Sequence, residues 1–287
     1  MKHGHSLARA LNRDMHDMSA RLEAQRKELG ARTLLFRMNN ASNSQKYQLF
    51  QRQLTDDAAA GIQARWLPNL GLPWDIYSLA YRAHRICLVE DRCLGRLATR
   101  IEAALLRALV AESLGRRFSE LRILEIGTLF GISVAAIHEC CFGTFERIRV
   151  TVIDPLNGYY DQPQRDELTK AVVSRRVFEE NMRRNGIPQR DVRVIQKLSF
   201  DDEAEALAAE ERYNLLIIDG DHSRAGVEND WRRFGPLLEP GGCVIFDDYG
   251  AKDWPDVQQY VDAQVMNRPD LELVGAEWRT AAFRVRG

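Results

Sequence analysis

The region from residue 122 to residue 285 alternates short apolar stretches with longer amphipathic ones. The clearest stretch is 215–218, an unbroken apolar run followed by Gly220, which is typical of a strand buried on both faces. Strand–helix alternation of this kind predicts a mostly parallel sheet covered by helices on both sides. We therefore expect an α/β fold with a doubly wound, Rossmann-like seven-stranded sheet, an antiparallel edge strand and an α-helical N-terminal extension.

The expected elements follow from apolar periodicity and from turn residues. The predicted strands are 122–126, 149–153, 192–196, 213–218, 243–246, 271–275 and 279–285, the last two as an antiparallel pair. The predicted helices are 132–141, 166–185, 201–211, 227–238 and 257–267, and the residues from 75 to 114 also have a helical pattern. Pro240-Gly241-Gly242 predicts a turn before the fifth strand.

The first part of the chain has a different character. Residues 1–30 have a helical pattern with an apolar stripe of Leu7, Leu11, Met15, Met18, Leu22 and Leu29. The stripe fits an oligomerisation helix or an amphipathic helix that lies on its own domain. Residues 67–74 are rich in Pro and Gly and predict a boundary. We expect 1–74 to be a helical extension, used for oligomerisation or as a substrate lid, and 75–287 to be the main domain.

Charge and cysteine content narrow the class of function. The net charge is −1, which gives no overall field for nucleic acid or an acidic membrane surface. Residues 1–52 carry ten Lys or Arg against four Asp or Glu, but no aromatic residue is interleaved with the basic ones of the first helix, so a nucleic-acid arm is not favoured. The five cysteines form no CxxC pair and predict reduced thiols in a cytoplasmic protein. No apolar run has the length of a membrane span.

A glycine-containing loop joins the first predicted strand of this region to its helix. In the sequence LEIGTLFGIS, 124–133, Gly127 and Gly131 allow a tight turn and close approach of a ligand, and Glu125 and Ser133 flank them. Leu129 takes the place of the second glycine of a dinucleotide fingerprint, so a nicotinamide cofactor is disfavoured.

Two further residues follow the next strands. Asp154 ends the second strand, where an acid can accept hydrogen bonds from ribose hydroxyl groups, although it could also form a turn before Pro155. Ser199, or its backbone, follows the third strand and could meet an adenine edge.

Carboxylates end two strands that we expect to be neighbours. Asp219 follows one strand and Asp247 and Asp248 follow the next. Three carboxylates at one edge raise each other's pKa unless a cation lies among them. A divalent ion with oxygen ligands, Mg²⁺, Mn²⁺ or Ca²⁺, meets that need. One of the acids could instead be a helix cap or a ribose ligand.

Taken together, these motifs resemble the class I S-adenosylmethionine-dependent O-methyltransferases, in particular the metal-dependent branch that includes catechol and macrolide-sugar O-methyltransferases. The resemblance covers residues 75–287. It implies S-adenosylmethionine as the cofactor and Mg²⁺, or Mn²⁺, as the metal. The implied cofactor residues are Glu125, Gly127, Gly131, Ser133, Asp154, Ser199 and Asp219, and the implied metal ligands are Asp219, Asp247 and Asp248.

His222 is the predicted catalytic base. It falls where the resemblance places a lysine in the catechol enzymes and a histidine in the sugar enzymes, so the sequence favours a sugar acceptor. A neutral imidazole suits removal of a hydroxyl proton, although His222 could also only orient Asp219. Aromatic residues after strand ends could shape a substrate pocket or pack in the fold, namely Tyr159, Tyr160, Tyr249 and Trp254.

Three functions remain open from the sequence. The first is a metal-dependent O-methyltransferase for a sugar hydroxyl of a glycosylated natural product or polysaccharide precursor. The second is the same enzyme with a catechol-like or other small hydroxylated acceptor. The third is a scaffold that binds a partner through the basic N-terminal helix. We expect a small-molecule partner, a glycoside, no nucleic acid and no membrane span, and a homo-oligomer.

Overall fold

The fold is built on one seven-stranded sheet. The computed structural model describes residue 52 and residues 54–158, 165–166 and 168–287; the predicted helix over 1–30 and Tyr159 and Tyr160 lie outside these residues. The strands are β1 (Glu120–Ile126), β2 (Arg147–Ile153), β3 (Val192–Ile195), β4 (Tyr213–Ile218), β5 (Leu238–Asp247), β6 (Leu271–Glu277) and β7 (Thr280–Val285). Their order is β3-β2-β1-β4-β5-β7-β6.

The first five strands are parallel, and β7 runs antiparallel between β5 and β6. The predicted fold class is therefore confirmed. The order reverses between β1 and β4, and in such sheets ligands bind outside the carboxyl ends of the strands at this point.

Helices cover both faces of the sheet. They are α1 (Asp56–Gly61), α2 (Leu67–Leu70), α3 (Ile76–Arg92), α4 (Ile101–Ser113), α5 (Ile132–Cys140), α6 (Arg175–Arg184), α7 (Asp202–Ala208), α8 (Arg224–Phe234) and α9 (Pro255–Gln264). A π-helical turn over Ile62–Trp66 joins α1 to α2, and short 3-10 helices lie at Leu114–Arg116, Gln189–Asp191 and Gly235–Leu237.

Strand β4 shows how the core is divided. Successive side chains of a strand point to opposite faces. Leu215 and Ile217 accordingly join the cluster formed with helices α1 to α6, and Leu216 and Ile218 join the cluster formed with α7, α8 and α9. Because all six residues of β4 are buried, it is the central strand that its sequence predicted.

The predicted helix over 166–185 is wrong in its first half. Asp166 accepts a hydrogen bond from the Thr169 backbone N–H at 2.8 Å, and Lys170 has a φ of 60°, so the chain turns there. Local side-chain bonds of this kind compete with helix formation. The helix α6 begins only after Ser174, whose hydroxyl accepts from the Val177 N–H.

Two other predictions needed correction. The helical pattern over 75–114 is two helices, α3 and α4, joined by a loop over 93–100. Pro240-Gly241-Gly242 lies inside β5, where the pairing with β4 passes from Tyr213–Leu238 to Leu215–Cys243. The turn residues thus form a bulge in a longer strand rather than a separate turn.

Part of the predicted N-terminal extension packs on the main domain. Trp66 is fully buried, its indole N–H donates to Glu277 Oε2 at 3.0 Å, and its ring lies against Gly275. Residues 54–70 thus cover the β6 end of the sheet and share one hydrophobic cluster with α3 to α5. A separate role for residues 1–74 stays a prediction.

All five cysteines lie in the described residues and are free thiols, as predicted. In the part of the chain that the structure describes, no helix is long and apolar enough to cross a membrane.

Candidate active site

A cleft of about 660 Å³ opens at the carboxyl ends of β1, β2, β4 and β5. It brings together nearly all of the residues that the sequence singled out. Those that line it are Glu125, Gly127, Ser133, Asp154, Ser199, Asp219, His222, Asp247 and Asp248. Among the predicted cofactor, metal and catalytic residues, Gly131 is the one that does not line the cleft.

The two glycines of the β1–α5 loop are required for different structural reasons. Gly127 has a φ of 76°, and a Cβ there would lie 2.1 Å from the backbone oxygen of Asp219. Only glycine therefore lets β1 pass so close to the end of β4. Gly131 has a φ of 73° at the N-cap of α5, and a Cβ there would meet the ring of Phe178 at 2.6 Å.

Asp154 holds the same loop in place. One carboxylate oxygen accepts from the N–H groups of Thr128 and Leu129 at 2.7 and 3.0 Å, and the other accepts from the Leu156 N–H at 2.7 Å. Burial raises the pKa of Asp154, while these three hydrogen bonds favour the ionised form. Asp154 thus orders the loop, and its predicted contact with a ribose stays a prediction.

Ser199 lies at the far end of the cleft, between two exposed apolar residues. Leu198 and Phe200 are 55% and 46% exposed and also line the cleft. The Ser199 carbonyl accepts from Asn229 Nδ2 at 3.2 Å. Exposed apolar side chains can lie against the flat face of a base, and the predicted contact of Ser199 with adenine stays a prediction.

Arg107 lies among the acids at the other end. Its Nη2 lies 2.8 Å from Asp219 Oδ2 and 2.7 Å from Asp247 Oδ2, and its Nη1 lies 2.9 Å from Ser133 Oγ. Burial lowers the pKa of Arg107, but the surrounding carboxylates outweigh it, so the guanidinium stays charged. Burial also favours the neutral form of Asp219, yet Arg107 and His222 together outweigh burial and lower the pKa of that carboxyl.

Glu125 completes the buried end of the cleft. It is fully buried in β1, accepts from the Thr128 hydroxyl, and lies 3.9 Å from Arg107 Nη1. Burial raises its pKa to about 7, although Arg107 and Thr128 act against that shift. Glu125 therefore changes its charge near neutral pH.

His222 is held between carboxylates and an aromatic ring. Its Nε2 lies 3.2 Å from Asp248 Oδ2 and 3.6 Å from Asp219 Oδ1, and Trp254 stacks on it with ring centroids 4.9 Å apart. Burial lowers the pKa of His222, but Asp219 and Asp248 outweigh burial and raise it to about 10. The arrangement therefore strongly stabilises the protonated imidazole.

Two arginines that pair with the strand-end acids escaped the sequence predictions. Arg107 and Arg279, whose Nε lies 2.8 Å from Asp248 Oδ1, are 112 and 60 residues from Asp219 in the chain. A signal for Arg107 does exist, because it interrupts the apolar run AALLRALVA of α4, and a charge inside a buried helix must be paired. Of the aromatic candidates, Trp254 contacts His222, whereas the Tyr249 hydroxyl donates to Asp262.

Comparisons with known proteins agree with this architecture. Residues 124–249 match a family profile described as a methyltransferase domain. Comparison with curated proteins gives no match. Among solved structures, the O-methyltransferase NovP is 16% identical with a TM-score of 0.52, covering 80% of this chain and 100% of its own. The calicheamicin methyltransferase CalS11 is 14% identical with a TM-score of 0.51, covering 85% of this chain and 98% of its own.

The profile match begins in β1 and ends after β5, so it contains the glycine loop, Asp154 and the strand-end acids. The structural neighbours show the same fold over most of the chain. The resemblance seen in the sequence is thereby confirmed at the level of the class. Residues 124–249 therefore match a methyltransferase domain, and the fold around them is the one seen in solved O-methyltransferases.

Proposed function

We propose that this enzyme methylates a hydroxyl group of a sugar, in a glycosylated natural product or a polysaccharide precursor. The observation that carries the proposal is the position of His222 at the edge of the cleft, between Asp219, Asp248 and Trp254. A histidine at this position is the feature by which the sequence resembles the sugar enzymes. An oxygen acceptor also agrees with the description of NovP as an O-methyltransferase.

The cleft fits the methyl donor. Its volume of about 660 Å³ lies within the usual range of small-molecule sites. Gly127 and Ser133 would border the amino-acid end, Asp154 the ribose and Ser199 the adenine. When bound, S-adenosylmethionine supplies a sulfonium methyl group, which passes to the acceptor oxygen and leaves S-adenosylhomocysteine.

His222 then has a defined task. Because its pKa of about 10 makes the neutral imidazole the minor form at neutral pH, His222 acts through that form: it accepts the proton of the acceptor hydroxyl, and the carboxylates of Asp219 and Asp248 hold the resulting imidazolium. Stacking on Trp254 fixes the plane of the ring, so the nitrogen that takes the proton keeps one position. The proton leaves to solvent through the open side of the cleft.

The rim of the cleft supports a polar acceptor. Arg96, Asn157, Lys197 and Asp221 all line it and offer both donors and acceptors. A sugar ring presents several hydroxyl groups that can bond with such side chains, whereas a catechol ring presents two and a flat apolar face.

The predicted Mg²⁺ or Mn²⁺ ion is not carried into this proposal. Ligand atoms of Asp219, His222 and Asp247 do lie within 4.8 Å of one another, which is close enough to surround an ion. However, the Arg107 guanidinium already bonds to both of these aspartates. The donor set therefore does not fit a divalent ion, and proton removal is assigned to His222.

The test combines binding and turnover. Calorimetric titration should show binding of S-adenosylhomocysteine to the wild type and to His222→Ala. With glycosides as acceptors and radiolabelled donor, His222→Ala should lower turnover by about 10²-fold or more. His84→Ala is the matched control, because His84 lies on α3 outside the cleft, and it should keep normal turnover.

The outcomes separate the candidate functions. Turnover of catechols but not of glycosides would show that the acceptor is a catechol-like or other small hydroxylated molecule rather than a sugar. Near-normal turnover by His222→Ala would remove it as the base. Binding of S-adenosylhomocysteine without turnover of any hydroxylated acceptor would favour the scaffold function.

We also propose that the N-terminal segment mediates oligomerisation and that the enzyme acts in the cytoplasm, where its free thiols stay reduced. Deletion of residues 1–50 tests the first point and keeps Arg52, which is buried against Glu90. Light scattering should show a smaller assembly for the deletion variant. An unchanged molar mass per particle, apart from the missing residues, would contradict this role.

A further inference from the structure

Arg107 lies at the place where a divalent ion was expected. It belongs to α4, a helix that is buried on every side, and only 1% of its surface is exposed. A single nitrogen, Nη2, lies within hydrogen-bond distance of both Asp219 Oδ2 and Asp247 Oδ2. The guanidinium thus places one positive charge between these two acids and holds them together, as a bridging cation would.

The third predicted ligand has its own partners. Asp248 Oδ1 lies 2.8 Å from Arg279 Nε, and Asp248 Oδ2 lies 3.2 Å from His222 Nε2. Both oxygens of this carboxylate are therefore paired with basic groups. All three acids that the sequence assigned to a metal have a basic partner within the chain itself.

A divalent ion would compete with these pairs. If the ion binds the two oxygens that contact Arg107, it must displace the buried guanidinium. The arginine would then be a buried charge without partners, which is costly. To bind through the other oxygens, the ion must lie beside a fixed positive charge in a poorly solvated place, where repulsion is strong.

We propose that Arg107 takes the place of the metal ion, so that methyl transfer by this enzyme requires no divalent cation. This inference rests on the proposed function of the same cleft. Arg107 is a positioning residue: it fixes Asp219 beside His222 and fixes the end of β5 beside the end of β4. The acceptor hydroxyl is then not made more acidic by a metal, and its proton is removed by His222.

The first experiment needs only the wild type. The protein is dialysed against EDTA and titrated with Mn²⁺, with and without S-adenosylhomocysteine, while the free Mn²⁺ signal is followed by electron paramagnetic resonance. We expect no saturable Mn²⁺ binding at the cleft and unchanged turnover in EDTA. Binding of one Mn²⁺ per chain that Asp247→Asn abolishes, or turnover that is lost in EDTA and restored by Mg²⁺, would overturn the inference.

The second experiment tests whether removal of the Arg107 guanidinium creates a site for a divalent ion. Arg107→Ser removes the guanidinium and leaves the two carboxylates without their cation, so it should gain saturable Mn²⁺ binding, and adding Asp247→Asn should remove that binding again. Arg107→Lys keeps the charge and should not gain it. A purely structural role for Arg107 predicts no difference in Mn²⁺ binding between the serine and lysine variants.

These results can be told apart from failure of the proposed function. If S-adenosylhomocysteine binds but no acceptor is methylated, the proposed activity fails, and the Mn²⁺ titrations still decide the role of Arg107. If Arg107→Ser does not fold, the wild-type titration and Arg107→Lys still decide it.

Discussion

The close approach of β1 to β4 at Gly127 can be tested by a single methyl group. In Gly127→Ala, the new Cβ would lie 2.1 Å from the Asp219 carbonyl oxygen and 2.7 Å from its carbonyl carbon. These are backbone atoms, so no side chain can rotate away. The ends of the two strands must move apart, and Asp219, which lines the cleft, must move with them.

The expected cost has two parts. A residue other than glycine in the left-handed region costs roughly 1–2 kcal/mol, and Gly127 has a φ of 76°. Overpacking of a well-packed site adds about 1–3 kcal/mol. Gly127→Ala should therefore lower the free energy of unfolding by about 2–5 kcal/mol.

Gly143→Ala is a matched control. Gly143 has a φ of 83°, but a Cβ there would meet no atom within 4 Å. Gly143→Ala should therefore lower the free energy of unfolding only by the conformational cost, roughly 1–2 kcal/mol. The difference between the two variants isolates the contact between the strands.

Urea denaturation followed by circular dichroism measures both variants, and calorimetry measures their affinity for S-adenosylhomocysteine. We expect Gly127→Ala to be the less stable variant and to bind more weakly, while Gly143→Ala binds like the wild type. Equal losses of stability in the two variants, or unchanged affinity in Gly127→Ala, would refute the argument that close approach at Gly127 shapes the cleft.

Two further predictions concern buried charges away from the reacting groups. Burial raises the pKa of Asp230 from 3.8 to about 6. The folded state therefore keeps the carboxyl proton at a pH where the unfolded state has released it. The stability that this protonation gives the fold is fully present below pH 3.8 and is lost as the pH rises through about 6. Between pH 4 and pH 7, the free energy of unfolding of the wild type, measured with urea, should therefore fall by up to about 3 kcal/mol relative to that of Asp230→Asn. If the free energies of unfolding of the two proteins change in parallel with pH, the raised pKa is contradicted. Arg52 pairs with Glu90 at 2.8 Å and donates to the carbonyls of Leu97 and Thr99 in the loop that lines the cleft. Arg52→Met should lower the free energy of unfolding by about 3–5 kcal/mol, because it leaves the buried carboxylate of Glu90 without its charge partner. The double variant Arg52→Met, Glu90→Met should recover part of this loss. If it recovers none, the loss does not come from the ion pair.

Local sequence determined much of the fold. The apolar run that ends β4 is too short for a helix and too apolar for an exposed strand, so it predicted a central strand, and the other strands followed from the same alternation. The predictions failed where side chains act locally on the backbone. At Asp166 a turn replaces the first half of a predicted helix, and in β5 a bulge keeps a strand continuous through Pro240-Gly241-Gly242.

The acids of the cleft were also within reach of the sequence. Glu125, Asp154, Asp219 and Asp247 each lie at or just after the end of a strand, and the carboxyl ends of parallel strands meet at one edge. Strand assignment alone therefore brought them to one cleft. The need for a positive charge among them followed from repulsion between carboxylates.

The source of that charge was decided only by the tertiary structure. Arg107 comes from a helix that precedes the sheet, and its guanidinium reaches Asp219 across 112 residues of chain. No periodicity or spacing links the two, because the packing of α4 against the sheet sets their distance. By itself, the sequence determined that strand-end acids require a cation, whereas the folded chain determined that an arginine, with its own buried hydrogen bonds, occupies the position between them.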